Sequence, residues 1–262
     1  IRARAEKGEK SILLVPEQFT SSTEGRIYRE LGDALSGMVE SFSFTSLAEK
    51  ILSTEGGAAV QTLSDAGRAV LVRRALEELQ DNVHYYHRHR RSAAFCQMAA
   101  QTIDELKSAG LSGQQLAQLA GACGAESGKL SELALIFQGY ETLLARSGMD
   151  PSDRLELAGA RLEEALARHS LPEFLRDRAV FIDEFDTFNA PKKRLLGAML
   201  AALPSVTVAL CDDGTPLVPG DMSLFSGAKQ VAAQLRQLAR KNGAEAAVPE
   251  LLHRPAPQGR PR

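Results

Sequence analysis

"AVFIDEFDTFNAP", residues 179–191, carries four apolar residues straight into Asp183 and Glu184 and then breaks at Asn189 and Pro191. A short apolar run without polar alternation suits a strand buried on both faces, as in parallel sheets covered by helices. Its acidic end admits two readings. An Asp at the carboxyl end of a buried strand can hold Mg²⁺ through water, and the following Glu can orient the water that attacks a γ-phosphate. The plainer reading is a strand that finishes in a solvated acidic loop. This stretch alone does not separate the two.

Working outward, "SILLVP" (11–16), "GMVESF" (37–42) and "SVTVALCDD" (205–213) are runs of the same kind, and with 178–183 they predict four strands. Helices are expected after them at about 22–35, 44–55, 191–202 and 226–241, the strand–helix alternation of an α/β sheet. Between Leu63 and His169 the pattern changes to helical periodicity alone. Ala69, Val72, Leu76 and Leu79 share a face after a Ser64 cap, and Leu155, Ala158, Leu162 and Ala165 share another after Pro151. Between these faces, "AAFCQMAAQTIDELKSAG" and "KLSELALIFQGYETLLARSG" each close on Gly, a common helix stop. The expected division is therefore a first part of an α/β core over 1–62, a helical insertion over 63–170 and a second part of the core over 171–241. A Pro- and Arg-rich linker or disordered tail is expected over 242–262.

Composition narrows the classes. The hydrophobic set makes up 44% and charged residues 24%, which places the chain among ordinary globular proteins. No window approaches the ~18–20 uninterrupted apolar residues of a membrane span, and no signal segment opens the chain. Cys96, Cys123 and Cys211 are scattered and odd in number, so neither a disulfide framework nor a metal knuckle is expected, and a reducing, cytoplasmic setting is. A net charge of −2 gives no global signal for nucleic acid; phosphate contacts have to come from a local patch.

A nucleotide site at Asp183 requires a phosphate-wrapping GxxxxGK[ST] loop. The one Gly-Lys pair, Gly128-Lys129, has Cys123 where the first Gly belongs and Leu130 where a hydroxyl must reach the metal. It is a decoy inside the helical block. "IRARAEKGEKSILLVP" reads as a helix end, a loop and a strand, and the chain opens on Ile1 rather than Met, so the expectation is a fragment whose phosphate loop lies just upstream.

"HYYHRHRR" (84–91) is the other conspicuous stretch. A metal site on His84, His87 and His89 lacks an acidic or Cys partner nearby in sequence. Arg88, Arg90 and Arg91 beside Tyr rings fit the basic and aromatic logic of single-strand binding. A solvated basic loop between two helices is the plainer alternative.

The ordered set of strand ends resembles a known group of motors. "ILLVPEQFTSSTE" (12–24) resembles motif Ia of superfamily 1 helicases, "VESFSFTSLAEKIL" (39–52) the segment that follows it, "FIDEFDTF" motif II and "VTVALCDDG" the place of motif III. The closest resemblance is to the B subunit of the AddAB (RexAB) helicase-nuclease family. It runs through Val15–Thr20, Ser41–Leu52, Gly56-Gly57, Leu63–Leu71, Lys129–Leu144, Asp150–Ala158 and Ile182–Pro191, with "SLFSGAKQVAAQL" (223–235) after motif III.

The resemblance implies a P-loop NTPase (RecA-like) parallel sheet with a large all-helical insertion, the 1A/1B arrangement. It implies DNA repair and recombination, single-stranded DNA at Gln18, Thr20, Ser41 and Phe42, and an AddA-type helicase-nuclease as heterodimer partner. ATP and Mg²⁺ would sit at Asp183, with Glu184 in the water role, only together with the missing loop. The family varies at the Glu184 position. Its nuclease motif and iron–sulfur cluster match nothing in these residues, so the fragment alone is expected to be inactive. The alternatives are another UvrD-like motor and a non-catalytic scaffold that holds a partner subunit.

Overall fold

The computed structural model describes residues 1–124 and 127–252. After a short helix α1 (Arg2–Ala5), the apolar runs become strands β1 (Ser11–Leu14), β2 (Val39–Phe42), β3 (Ala179–Ile182) and β4 (Ser205–Val208). They form one parallel sheet in the order β2-β1-β3-β4. Helices α2 (Thr20–Ser36), α3 (Phe44–Glu55), α9 (Ala190–Ala202) and α10 (Ser226–Lys241) follow the strands, close to their expected bounds. The protein is thus α/β, with a small four-stranded parallel sheet.

Local chemistry accounts for the boundaries. Ser43 caps α3 and exchanges hydrogen bonds with Ser46 in a capping box. Asn189 caps α9 through the Lys192 amide, and Pro191 occupies the first turn, where its missing N–H costs nothing.

The intervening segment is helical as expected: α4 (Asp65–Glu78), α5 (Ala93–Ser108), α6 (Gly113–Ala120), α7 (Ser127–Ser147) and α8 (Pro151–Ala167). Two apolar clusters divide it. Val72, Leu76, Ile103, Phe137 and Tyr140 belong to one built wholly within this block. Ile12, Leu47, Val180 and Leu195 belong to the other, in the α/β layers. Helix α8, expected inside the insertion, buries Leu155, Ala158 and Leu162 in the α/β cluster instead. The packing boundary therefore lies near Asp150 rather than at 170. Periodicity shows which face of a helix is apolar but not which neighbour covers it.

The chain leaves and re-enters the α/β layers at one place. Thr62 pairs with Met149 in a parallel bridge; the Leu63 amide donates to the Met149 carbonyl and the Met149 amide to the Gln61 carbonyl, both at 3.0 Å. Beside it lies a buried polar knot. Lys107 Nζ donates to Asp150 at 2.8 Å and to Asp153 at 2.7 Å, and the Tyr140 hydroxyl donates to Asp150 at 2.6 Å. Asp150 is 1% exposed, so these bonds replace its water. Burial opposes the Lys107 charge, but the bonds to Asp150 and Asp153 carry its pKa above the usual value. Burial and Asp150 push the Tyr140 hydroxyl up as well.

Beyond α10, residues 244–252 form no helix or strand. The remainder of the expected tail, 253–262, lies outside the described residues. Cys96, Cys123 and Cys211 are free thiols. Among the described residues no helix is long and apolar enough to cross a membrane.

Candidate functional site at the carboxyl edge of the sheet

Parallel register brings the ends of the strands level. Leu14 pairs with Phe42 on one side and Ile182 on the other, and Ile182 pairs with Val208. Three bonds lace the chain just beyond: the Val15 amide donates to the Phe42 carbonyl, the Asp183 amide to Leu14 and the Ala209 amide to Ile182, at 2.9–3.0 Å. The turns after β1, β2, β3 and β4 therefore emerge along one edge, the edge where open α/β sheets bind ligands.

The turn after β1 is a short 3₁₀ segment, Glu17–Phe19. The Glu17 carboxylate accepts from the hydroxyls of Ser43 at 3.4 Å and Thr45 at 3.2 Å, at the amino end of α3. A carboxylate there is favoured by the helix dipole, so it ties the first turn to the second. Gln18 is left exposed. The Thr20 hydroxyl donates to the Glu17 carbonyl at 2.6 Å, which engages it locally. Ser41 and Phe42 differ from expectation. The Ser41 hydroxyl is enclosed and unbonded, and Phe42 packs against the α/β cluster, because both lie within β2 rather than beyond its end.

Asp183 stands one residue past β3, partly exposed, and its Oδ1 accepts from the Glu184 amide at 2.9 Å. Glu184 has φ +64°, a left-handed conformation that costs a non-glycine residue energy and concentrates at functional turns. Its carboxylate accepts from Arg26 of α2 at 3.3 Å. Both side chains of that pair are about half exposed (55% and 44%), so water screens it and its contribution is about 0–1 kcal/mol. Asp183 supplies the hard oxygens that Mg²⁺ prefers, while a backbone loop to hold phosphates is missing from the sequence 1–262. Among the described residues no group of three His, Cys, Asp or Glu side chains is placed to hold a metal.

Sequence reasoning passed over one residue here. Phe44, Phe185 and Phe188 form a ring cluster with centroids 5.3–6.1 Å apart, and Lys192 Nζ lies 5.7 Å from the Phe44 centroid and 5.5 Å from that of Phe185. Burial lowers its pKa, opposed by the negative field of Glu17. Lys192 occupies the first turn of α9, where the helix dipole disfavours a cation. That mismatch was the available signal.

Arg88, Arg90 and Arg91 lie in the helical block, between α4 and α5. Their loop is pinned from beneath by Glu132, which is 6% exposed and accepts from the amides of His84, Tyr85 and Tyr86 at 2.7–3.2 Å. Tyr86 and His89 lie against Phe95, and Arg90 reaches His87 at 3.4 Å. Arg88 and Arg91 face solvent. Gly128, half of the decoy pair, is explained here: a Cβ on it would stand 2.8 Å from the Tyr85 ring.

A cavity of about 680 Å³ is lined by Lys10, Lys50, Glu173, Phe174, Arg176 and Arg178 among others. It sits at the amino ends of β1 and β3, away from the acidic turn. Its charges are mixed, and Arg178 is already bonded to Glu40.

Residues 1–261 match the family described as "ADDB, N-terminal". Over 97% of its length the chain is 34% identical to the B subunit of the ATP-dependent helicase/deoxyribonuclease of Desulforudis audaxviator (strain MP104C), covering 22% of that protein. It is 32% identical over 98% of its length to the protein of the same name from Heliobacterium modesticaldum (strain ATCC 51547 / Ice1), covering 21% of it. Against the Clostridium perfringens (strain 13 / Type A) protein of that name, the figures are 30% identity, 89% of this chain and 20% of the relative. The chain thus spans about a fifth of the length of these relatives. By sequence along its whole length, the chain belongs to the AddB N-terminal family.

Proposed function

We propose that this chain is the first motor-like module of the B subunit of an ATP-dependent helicase/deoxyribonuclease, a RecA-like core that binds single-stranded DNA across the carboxyl edge of its sheet. Its setting is cytoplasmic, in DNA repair and recombination, beside an AddA-type partner. The observation that carries this reading is the level emergence of the turns after β1, β2 and β3, laced by backbone bonds into one rigid edge. Gln18 and Thr20 line it from the first turn, and Arg88, Arg90 and Arg91 supply a separate basic contact.

Asp183 marks where Mg-nucleotide would bind when a phosphate loop completes the site. Glu184, turned toward Arg26, is the residue that would orient water. Residues 1–262 alone bind no nucleotide tightly and turn none over.

The test is fluorescence anisotropy of a labelled oligothymidylate with the purified chain, together with phosphate release from ATP. Expected are binding that weakens as salt rises and no DNA-stimulated turnover. Absence of binding at about 50 mM salt, a condition that favours phosphate contacts, rejects the DNA reading and leaves a scaffold for a partner protein. Measured turnover rejects the claim of inactivity.

A further inference from the structure

Lys192 stands out at the carboxyl edge once the other charges there are assigned. Glu17 is bonded to Ser43 and Thr45, and Glu184 is paired with Arg26. Asp183 accepts from the amide of its neighbour. Among the described residues Lys192 has no carboxylate within ion-pair distance and no acceptor bonded to Nζ. Its ammonium lies instead over the faces of Phe44, at the start of α3, and Phe185, in the turn after β3. It is therefore a cation at the junction of the turns that follow β2 and β3, within the field of the turn after β1.

The placement is costly by ordinary measures. The first turn of a helix, with its partial positive charge, disfavours a cation. Partial burial takes away some of its hydration, and no carboxylate replaces it. Two ring faces compensate in part through their quadrupoles. Among the described residues no oxygen accepts from its N–H donors. An ammonium held by rings and lacking an anionic partner is prepared for an anion from outside.

We propose that Lys192 contacts a backbone phosphate of the single strand bound along this edge, with Phe44 and Phe185 holding its ammonium in position. This deepens the DNA-binding reading above and rests on it. The contact is sequence-independent, since a phosphate carries no base information. It also puts a positive charge into an edge where Glu17, Asp183, Glu184 and Asp186 would otherwise repel a phosphate backbone.

The alternative is that Lys192 only covers the rings with its aliphatic stem. Lys192→Met keeps that stem and removes the charge, and the salt dependence of binding tells the two apart. A phosphate contact in a single strand contributes about 0.7 to the slope of log K against log salt. Lys192→Met is therefore expected to make the slope shallower by about 0.7, so that the affinity lost between about 50 and 200 mM salt shrinks about 2.6-fold. Lys192→Arg should restore the wild-type slope.

An unchanged slope in a Lys192→Met protein whose thermal midpoint matches wild type overturns the proposal while leaving DNA binding intact. No binding by the wild-type chain overturns both. A measurement without substitution covers the case of a variant that does not fold. Acetylation of Lys192, read by mass spectrometry, should fall when oligothymidylate is bound, and equal labelling with and without it overturns the proposal.

Discussion

The two apolar clusters are built from opposite kinds of chain. In the helical block, Leu71 through Leu144 supply every buried member, so the contacts of that cluster close within the block. In the α/β layers, Ile12 and Leu14 pack with Val180 and Ile182, which arrive only after the whole block has been passed. Contacts of long sequence separation are slow to form because loop closure has to come first. The bridge of Thr62 to Met149 shortens that closure, since it holds the two ends of the block together. The difference suggests that the block is a local unit and that the sheet depends on how the block is stitched closed.

The most damaging way to test this is at the knot beside the bridge. Asp150→Ala leaves the Tyr140 hydroxyl without its acceptor and Lys107 with one carboxylate instead of two. Breaking a buried pair costs about 3–5 kcal/mol, and the lower end applies because Asp153 remains. The expected result is a fall of about 3 kcal/mol in urea unfolding, and a change below about 0.5 kcal/mol, the range of ordinary surface substitutions, would show that the knot does not couple the clusters.

Gly148→Ala is expected to be the next largest. Gly148 has φ +155°, and an added Cβ would stand 2.6 Å from the Gln61 carbonyl oxygen, a backbone atom of the bridge itself. Displacing it should cost about 1–3 kcal/mol. Amide exchange should speed up first at Leu63 and Met149, which donate across the bridge. Exchange that rises instead throughout both α7, in the helical block, and α9, in the α/β layers, would mean that the two clusters unfold as one.

The mildest probe is pH. The pKa values of Lys107 and Tyr140 are both raised in the folded chain, so both keep their protons after the unfolded chain has lost them. Their contribution is full below the unfolded values of about 10 and is lost as pH climbs through the raised folded values. Urea midpoints are expected to hold steady to about pH 9.5 and then decline. Tyr140→Phe should flatten the decline; an identical decline in that variant would remove Tyr140 from the account.

Legibility in the sequence follows the range of the physics involved. Strands and helices were readable because an apolar run such as "AVFI" or a face such as Leu155, Ala158 and Leu162 is a local pattern. The partner of that α8 face was not, since an apolar stripe fits the helical block and the sheet equally well until packing decides. The position of Asp183 just past β3 was readable from the apolar run before it. Ser41 was placed at the edge by analogy of position, but one residue of register moves a strand side chain to the opposite face. The ring cradle of Lys192 joins residues from two distant segments, and no spacing rule connects Phe44 to Phe185.

The sequence by itself determined that this is an α/β chain with a long helical interruption, and that an acidic turn follows its third strand. Those features depend on backbone propensity and hydrophobic period, which act within a few residues. Only the tertiary structure decided that α8 belongs to the sheet, that Glu17 is spent on the start of α3, and that Lys192 lies over two rings with no counterion among the described residues. Burial and charge pairing are properties of neighbours in space, and the chain alone does not say which neighbours it will have.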